Sequence, residues 1–143
     1  MQHERYVGYE IKALSNLLRR RLWGPADHPQ SMLTEIEGVL IGYLCHSQGR
    51  EIYQKDLERA LCIRSSTASR LLKRLEDEGL VQRSMGVRDA RMKWITPTLR
   101  AQALNQEAER RIAATEATLT RGISQEEIDQ FLAIAEKLKQ NLI

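Results

Sequence analysis

The stretch Tyr53–Thr96 reads YQKDLERALCIRSSTASRLLKRLEDEGLVQRSMGVRDARMKWIT. Gln54 to Leu61 places Leu57, Ala60 and Leu61 at helical spacing, and the turn Cys62-Ile63-Arg64 follows. A second helix is expected from Ser65 or Ser66 to Glu78. In it Ala68, Leu71, Leu72 and Leu75 fall at i, i+3, i+4 and i+7, a stripe that needs a core to face. Gly79 suits the position just past a helix end, where the backbone turns left-handed. Leu80-Val81-Gln82-Arg83 and Lys93-Trp94-Ile95-Thr96 are short strand-like runs, with the basic loop Gly86 to Arg91 between them. Two helices across a tight turn, followed by a hairpin, form the layout of a winged helix-turn-helix. That shape inserts its second helix into the DNA major groove.

The charge distribution agrees. The 143-residue chain carries a formal net charge of +3. Between Arg64 and Lys93 eight basic residues stand against four acidic ones, so this segment holds the whole positive excess. A localised basic face is the electrostatic footprint of a polyanion binder. A solvated charged surface is the plainer reading of the same count.

With its apolar stripe buried, the second helix presents Ser66, Thr67, Ser69, Arg70, Lys73 and Arg74 outward. Free N–H groups at the helix start favour a phosphate or a base acceptor. Ser65 or Ser66 also serves as a natural N-cap. Arg70 is long enough for a bidentate contact with guanine, and Lys73 and Arg74 lie where phosphates pass. The same cations stand at helical spacing from Glu76, Asp77 and Glu78, as in Lys73–Asp77 and Arg74–Glu78. In the loop, Arg88 or Arg91 suits a narrow minor groove, with Asp89 holding the loop or orienting an arginine. Taken alone, the loop is explained more simply as a plain hairpin with a salt bridge.

Outward from this centre the chain reads as helix. Tyr6 to Trp23 repeats Ile11, Leu14, Leu18 and Leu22, and Gly24-Pro25 stops it. A second helix opens at Thr34, with Glu37 completing a capping box, and ends near Gly49. Thr96-Pro97 reads as an N-cap followed by proline at the first helical position. The helix it announces runs to about Arg121, with Leu99, Leu104, Ala108, Ile112 and Leu119 as its stripe. Ser124 and Glu127 make another capping box, and the last helix, Gln125 to Leu142, presents Ile128, Phe131, Leu132, Ala135 and Leu138. Such long terminal helices with narrow apolar stripes predict burial across a twofold axis, hence a homodimer.

The fold class is therefore mainly α. About six helices and a small β-hairpin wing make a single domain over residues 1–143. Residues 34–96 form the DNA-binding lobe, and 1–23 and 97–143 the dimerisation helices.

Nearly the whole chain resembles the MarR family of transcriptional regulators. The matching landmarks are Leu33-Thr34, Gln54-Lys-Asp-Leu57, Ser66-Thr67-Ala68-Ser69-Arg70-Leu71, Leu75-Glu76 through Gly79-Leu80-Val81, Asp89-Ala90-Arg91 and Ile95-Thr96-Pro97. The resemblance implies a homodimer that reads a pseudo-palindromic operator in double-stranded DNA, as a repressor. It implies groove-reading roles for Ser66, Thr67, Ser69, Arg70 and Arg74, a wing role for Arg91, and Asp89 as its orienting partner. It also implies a small, often anionic aromatic effector between the dimer helices and the DNA-binding lobe. Tyr9, Lys12, Trp23 and Tyr43 are the candidate contacts, though each reads more simply as a core or interface residue.

The sequence departs from the family pattern at Tyr53, where Ser or Thr is common, and at Leu99, which replaces a frequent Gly. Cys62 replaces a turn Gly, so a positive φ there carries strain. Some relatives sense oxidants through a cysteine near the N-terminus, and this chain has none before Cys45. Cys62 beside Arg64, where a cation favours the thiolate, is the candidate redox residue.

Other classes find little support. No apolar run reaches the length of a membrane span, and the N-terminus lacks the apolar core of a signal peptide, so a cytoplasmic location is expected. Two cysteines and three scattered histidines match neither a disulfide framework nor a metal site. Phosphate-cradling glycine loops, nucleophile elbows and carboxylate pairs with a histidine are missing from the sequence. No enzyme activity, cofactor or metal is expected. The alternative is a winged-helix architectural or protein-interaction module without ligand control.

Overall fold

The computed structural model describes residues 5–23, 33–85 and 93–143, the Trp23 side chain apart. Its elements run α1 (Val7–Trp23), α2 (Glu35–His46), α3 (Gln54–Leu61), α4 (Ser65–Asp77), β1 (Val81–Met85), β2 (Lys93–Pro97), α5 (Leu99–Leu119) and α6 (Gln125–Leu142). The strands form one antiparallel hairpin in which Val81 pairs with Pro97 and Met85 with Lys93. This is the mainly helical winged helix-turn-helix expected from the sequence. Among the described residues no helix is long and apolar enough to cross a membrane.

The core lies under α4. Ala68, Leu71, Leu72 and Leu75 are all buried, as their spacing requires. They meet Leu40, Ile41 and Leu44 of α2, Leu57 of α3, and Leu80, Val81 and Ile95 around the hairpin. Each of the leucine, isoleucine and valine side chains contributes about 1.5–3 kcal/mol over leaving it in water.

Turns set the path between these elements. After α4, Gly79 takes φ +73. The Leu80 N–H then donates to Leu75 O at 2.8 Å and the Gly79 N–H to Glu76 O at 3.0 Å. This is a Schellman closure, with buried Leu75 and Leu80 as its apolar contact. It delivers the chain directly into β1. The hairpin is fastened to the start of α3 by Ile95 N–H donating to Ile52 O at 2.7 Å.

Three local expectations need correction. The N-cap of α5 is Thr98, not Thr96. Pro97 closes the hairpin opposite Val81, so the helix begins two residues later. The Thr98 hydroxyl accepts from the Ala101 N–H at 3.2 Å and donates to Gly79 O at 2.8 Å. The α5 stripe also differs. Leu99 is 82% exposed, while Ala101, Asn105 and Thr115 are buried. Finally, the capping box at α2 is only half made. Thr34 Oγ1 accepts from the Glu37 N–H at 3.4 Å, but the Glu37 side chain turns into the protein.

The terminal helices leave apolar surface uncovered. Ile11, Leu14 and Leu17 of α1 and Phe131, Leu132 and Ile134 of α6 are exposed, and α6 buries no residue.

At the α3–α4 turn Cys62 adopts φ +53 and ψ +46, in the left-handed region. A side chain there costs about 1–2 kcal/mol that glycine does not incur. Cys62→Gly should raise the stability of the protein by up to about 1 kcal/mol, once the chain entropy of glycine is offset. Urea unfolding of the two proteins measures this; a lower midpoint for the glycine variant would contradict the strain.

Candidate nucleic-acid interface

The outward side of α4 follows from its inward side. Its N-cap is Arg64, in extended conformation, and no side chain caps the helix. Neither Ser65 nor Ser66 takes the capping role read from the sequence, because the helix already begins at Ser65. Among the described residues the first-turn N–H groups of Ser65, Ser66 and Thr67 therefore have no acceptor, which leaves them for a phosphate. Ser66 is exposed and Thr67 half-buried. One and two turns further on, Arg70 and Lys73 are exposed, and neither forms an ion pair with another described residue. The pairing of α4 cations with Glu76, Asp77 and Glu78 that their spacing allowed is not made.

Two of the anticipated contact residues are engaged inside the protein. The Ser69 hydroxyl accepts from Gln54 Nε2 at 2.9 Å, and the same amide donates to Ser65 O at 3.3 Å. Gln54, the first residue of α3, thus ties the two helices of the motif together at their open end. Arg74 Nη1 lies 2.8 Å from Oε1 of Glu37 on α2. That distance is short, yet no N–H is aligned well enough with Oε1 to make a hydrogen bond. The pair is best described as a Coulomb contact at a buried carboxylate. Similarly, Glu76 Oε2 stands 2.9 Å from Arg83 Nε on β1, again off-axis. That contact neutralises one acid at the far end of α4.

Sequence reasoning missed both Gln54 and Glu37 as functional positions. Glu37 follows Thr34 by three residues and so reads as a local cap. Gln54 stood within a family landmark, but nothing local to it names Ser69 as its partner. The loop residues Arg88, Asp89 and Arg91 lie outside the described residues; Lys93 at the base of β2 is exposed.

A separate cleft of about 270 Å³ opens between α1, α2 and α5. Gly38 and Gly42 of α2 form one wall, Ala108 and Ile112 of α5 the other, and Glu35, His46 and Arg111 supply its polar groups. At its edge His46 Nε2 meets Glu109 Oε1 at 3.2 Å. None of the anticipated ligand contacts with described side chains lines this cleft. Tyr9 is exposed and packs edge-on against Tyr6 at 5.4 Å, Lys12 is exposed, and Tyr43 packs on the core. The Trp23 side chain lies outside the described ones.

Both cysteines are free thiols. Cys62 is exposed, its Sγ 3.7 Å from Arg59 O. Cys45 is half-buried; burial, and then the nearby Glu109 carboxylate, push its thiol above the ordinary range.

Comparison with known proteins places this geometry. The model of the MarR family matches residues 43–93, from the end of α2 through α3, α4 and β1 to the first residue of β2. A transcription regulator MarR from Oenococcus oeni PSU-1 is 27% identical, covering 94% of this chain and 99% of its own, with a TM-score of 0.84. The S. aureus MepR–DNA complex is 26% identical, covering 99% and 100%, with a TM-score of 0.85. S. aureus MepR bound to ethidium bromide is 27% identical, covering 98% and 99%, with a TM-score of 0.57. The family match on the helix-turn-helix and the structural likeness over nearly the whole chain together support a winged helix-turn-helix transcription regulator of the MarR type.

Proposed function

We propose that this regulator is a homodimeric repressor that binds a pseudo-palindromic operator through α4. One observation carries the reading. The side of α4 opposite its buried stripe offers three N–H groups, Ser66, and the cations Arg70 and Lys73, all without a partner among the described residues. Such a surface suits phosphates at the helix start and base edges one turn on. The wing residues Arg88 and Arg91, with Asp89 orienting Arg91, would add contacts.

The similarity to MepR supports the same reading. This chain matches the DNA complex of that protein with a TM-score of 0.85 and its ethidium-bound form with 0.57. The arrangement described above is thus nearer to one that a relative uses on DNA. The function places the protein in the cytoplasm, with residues 34–96 as the DNA-binding lobe. The uncovered apolar faces of α1 and α6 favour a twofold interface built from residues 1–23 and 97–143, since apolar patches of this kind mark association sites. The cleft between α1, α2 and α5 suits a small aromatic effector, with Arg111 available to an anionic group. Binding there would bear on α2 and release the operator.

A salt titration on duplex DNA tests the function. A repressor binds a palindromic site more tightly than random sequence, and both affinities fall steeply with salt. An architectural module binds the two duplexes alike. Arg70→Ala should weaken operator binding by about 1–3 kcal/mol while sparing random sequence, as loss of a base contact does. Arg91→Ala should weaken both and reduce the salt slope by about 0.9. Equal losses on both duplexes for both variants would contradict the base-reading role of Arg70. Sedimentation of the purified protein should give two chains per particle; a stable monomer in dilute solution would contradict the dimer.

A further inference from the structure

Glu37 has no part in the function proposed so far, yet it is the most deeply buried acid among the described residues, at 2% exposure. Its Oε1 has given up water and has no aligned donor; what compensates its charge there is Arg74 Nη1, 2.8 Å away. A carboxylate in that position is costly unless a cation stays beside it. Arg74 is half-exposed and lies one helical turn beyond Arg70, on the side of α4 that faces a duplex. Its guanidinium can swing out to a phosphate only by leaving the Glu37 charge buried and alone. Arg70 and Lys73, which lack such a partner among the described residues, are not restrained in this way.

Resting on the DNA-binding function above, we propose that Glu37 is a positioning residue, which holds Arg74 off the phosphate backbone and so sets the sequence-independent part of the affinity. A phosphate contact from arginine strengthens binding to every sequence alike. Withholding one lowers affinity for operator and random DNA alike and leaves discrimination to the residues that read bases. The sign is opposite to that of a buttress that aims Arg74 at a phosphate, and the two are separable by experiment.

The test is the salt dependence of binding to a random-sequence duplex, measured with the full chain. Glu37→Gln keeps the size and polarity of the side chain and removes its charge. It should bind the random duplex more tightly than the unaltered protein, and the slope of log K against log salt should steepen by about 0.9, the value for one added phosphate contact. In an Arg74→Gln background the same substitution should leave the slope where it was. An unchanged or shallower slope for Glu37→Gln overturns the proposal. So does a steepening that persists without Arg74, which would be an effect of net charge alone. A merely structural role for Glu37 moves the unfolding midpoint and not the slope. If the glutamine variant does not fold, Glu37→Met suits the apolar surroundings and answers the same question. Absence of salt-dependent duplex binding by the unaltered protein would instead defeat the DNA-binding function itself. Binding by that protein with no response to Glu37→Gln defeats only the role of Glu37.

Discussion

Burial of one stripe on α4 is the constraint on which the rest depends. Ala68, Leu71, Leu72 and Leu75 are locked against α2, α3 and the hairpin. A helix with 3.6 residues per turn that fixes one side in a core fixes the opposite side in solvent. Ser66, Arg70 and Lys73 are therefore presented outward because of what lies beneath them. The closure at Gly79 and the bond from Ile95 to Ile52 then hold the hairpin beside α4. Helix α4 and the two strands of the hairpin are parts of one packed unit.

Around that unit α2 acts as the joint. It carries Glu35, paired with Arg19 of α1 at 2.8 Å, and His46, paired with Glu109 of α5 at 3.2 Å. Both pairs are exposed and individually weak. The third, Glu37 with Arg74, is the consequential one, since its carboxylate is buried and breaking such a pair strands a charge. The cleft is walled by the glycine side of the same helix. A ligand pressing on α2 would thus bear on the element that grips the recognition helix.

Much of this was legible in the sequence, wherever local pattern and tertiary fold agree. Helices α3 and α6 have the bounds their spacing predicts, and the α4 stripe is buried at every expected position. The misses come from contacts distant in sequence. Glu37 reads as a local cap to Thr34, and nothing near it names Arg74. Gln54 and Ser69 lie on different helices and meet only when the turn at Cys62 brings them together. Thr96 and Thr98 flank the same proline, and only the pairing of Pro97 with Val81 decides which one caps α5. Along α5 the buried residues are Ala101, Asn105 and Thr115, small or polar, because the helix changes neighbours along its length. A search for large apolar side chains cannot find them. The wing residues Arg88, Asp89 and Arg91 stand on sequence alone.

Selection of bound sequences from a pool of random duplex DNA tests the central claim most directly. Paired α4 helices held by a twofold interface predict an enriched inverted repeat whose half-sites lie roughly one helical turn apart. The Arg70→Ala protein should lose preference at one position within each half. A pool that stays unenriched, or one that yields a single unrepeated element, would contradict the account.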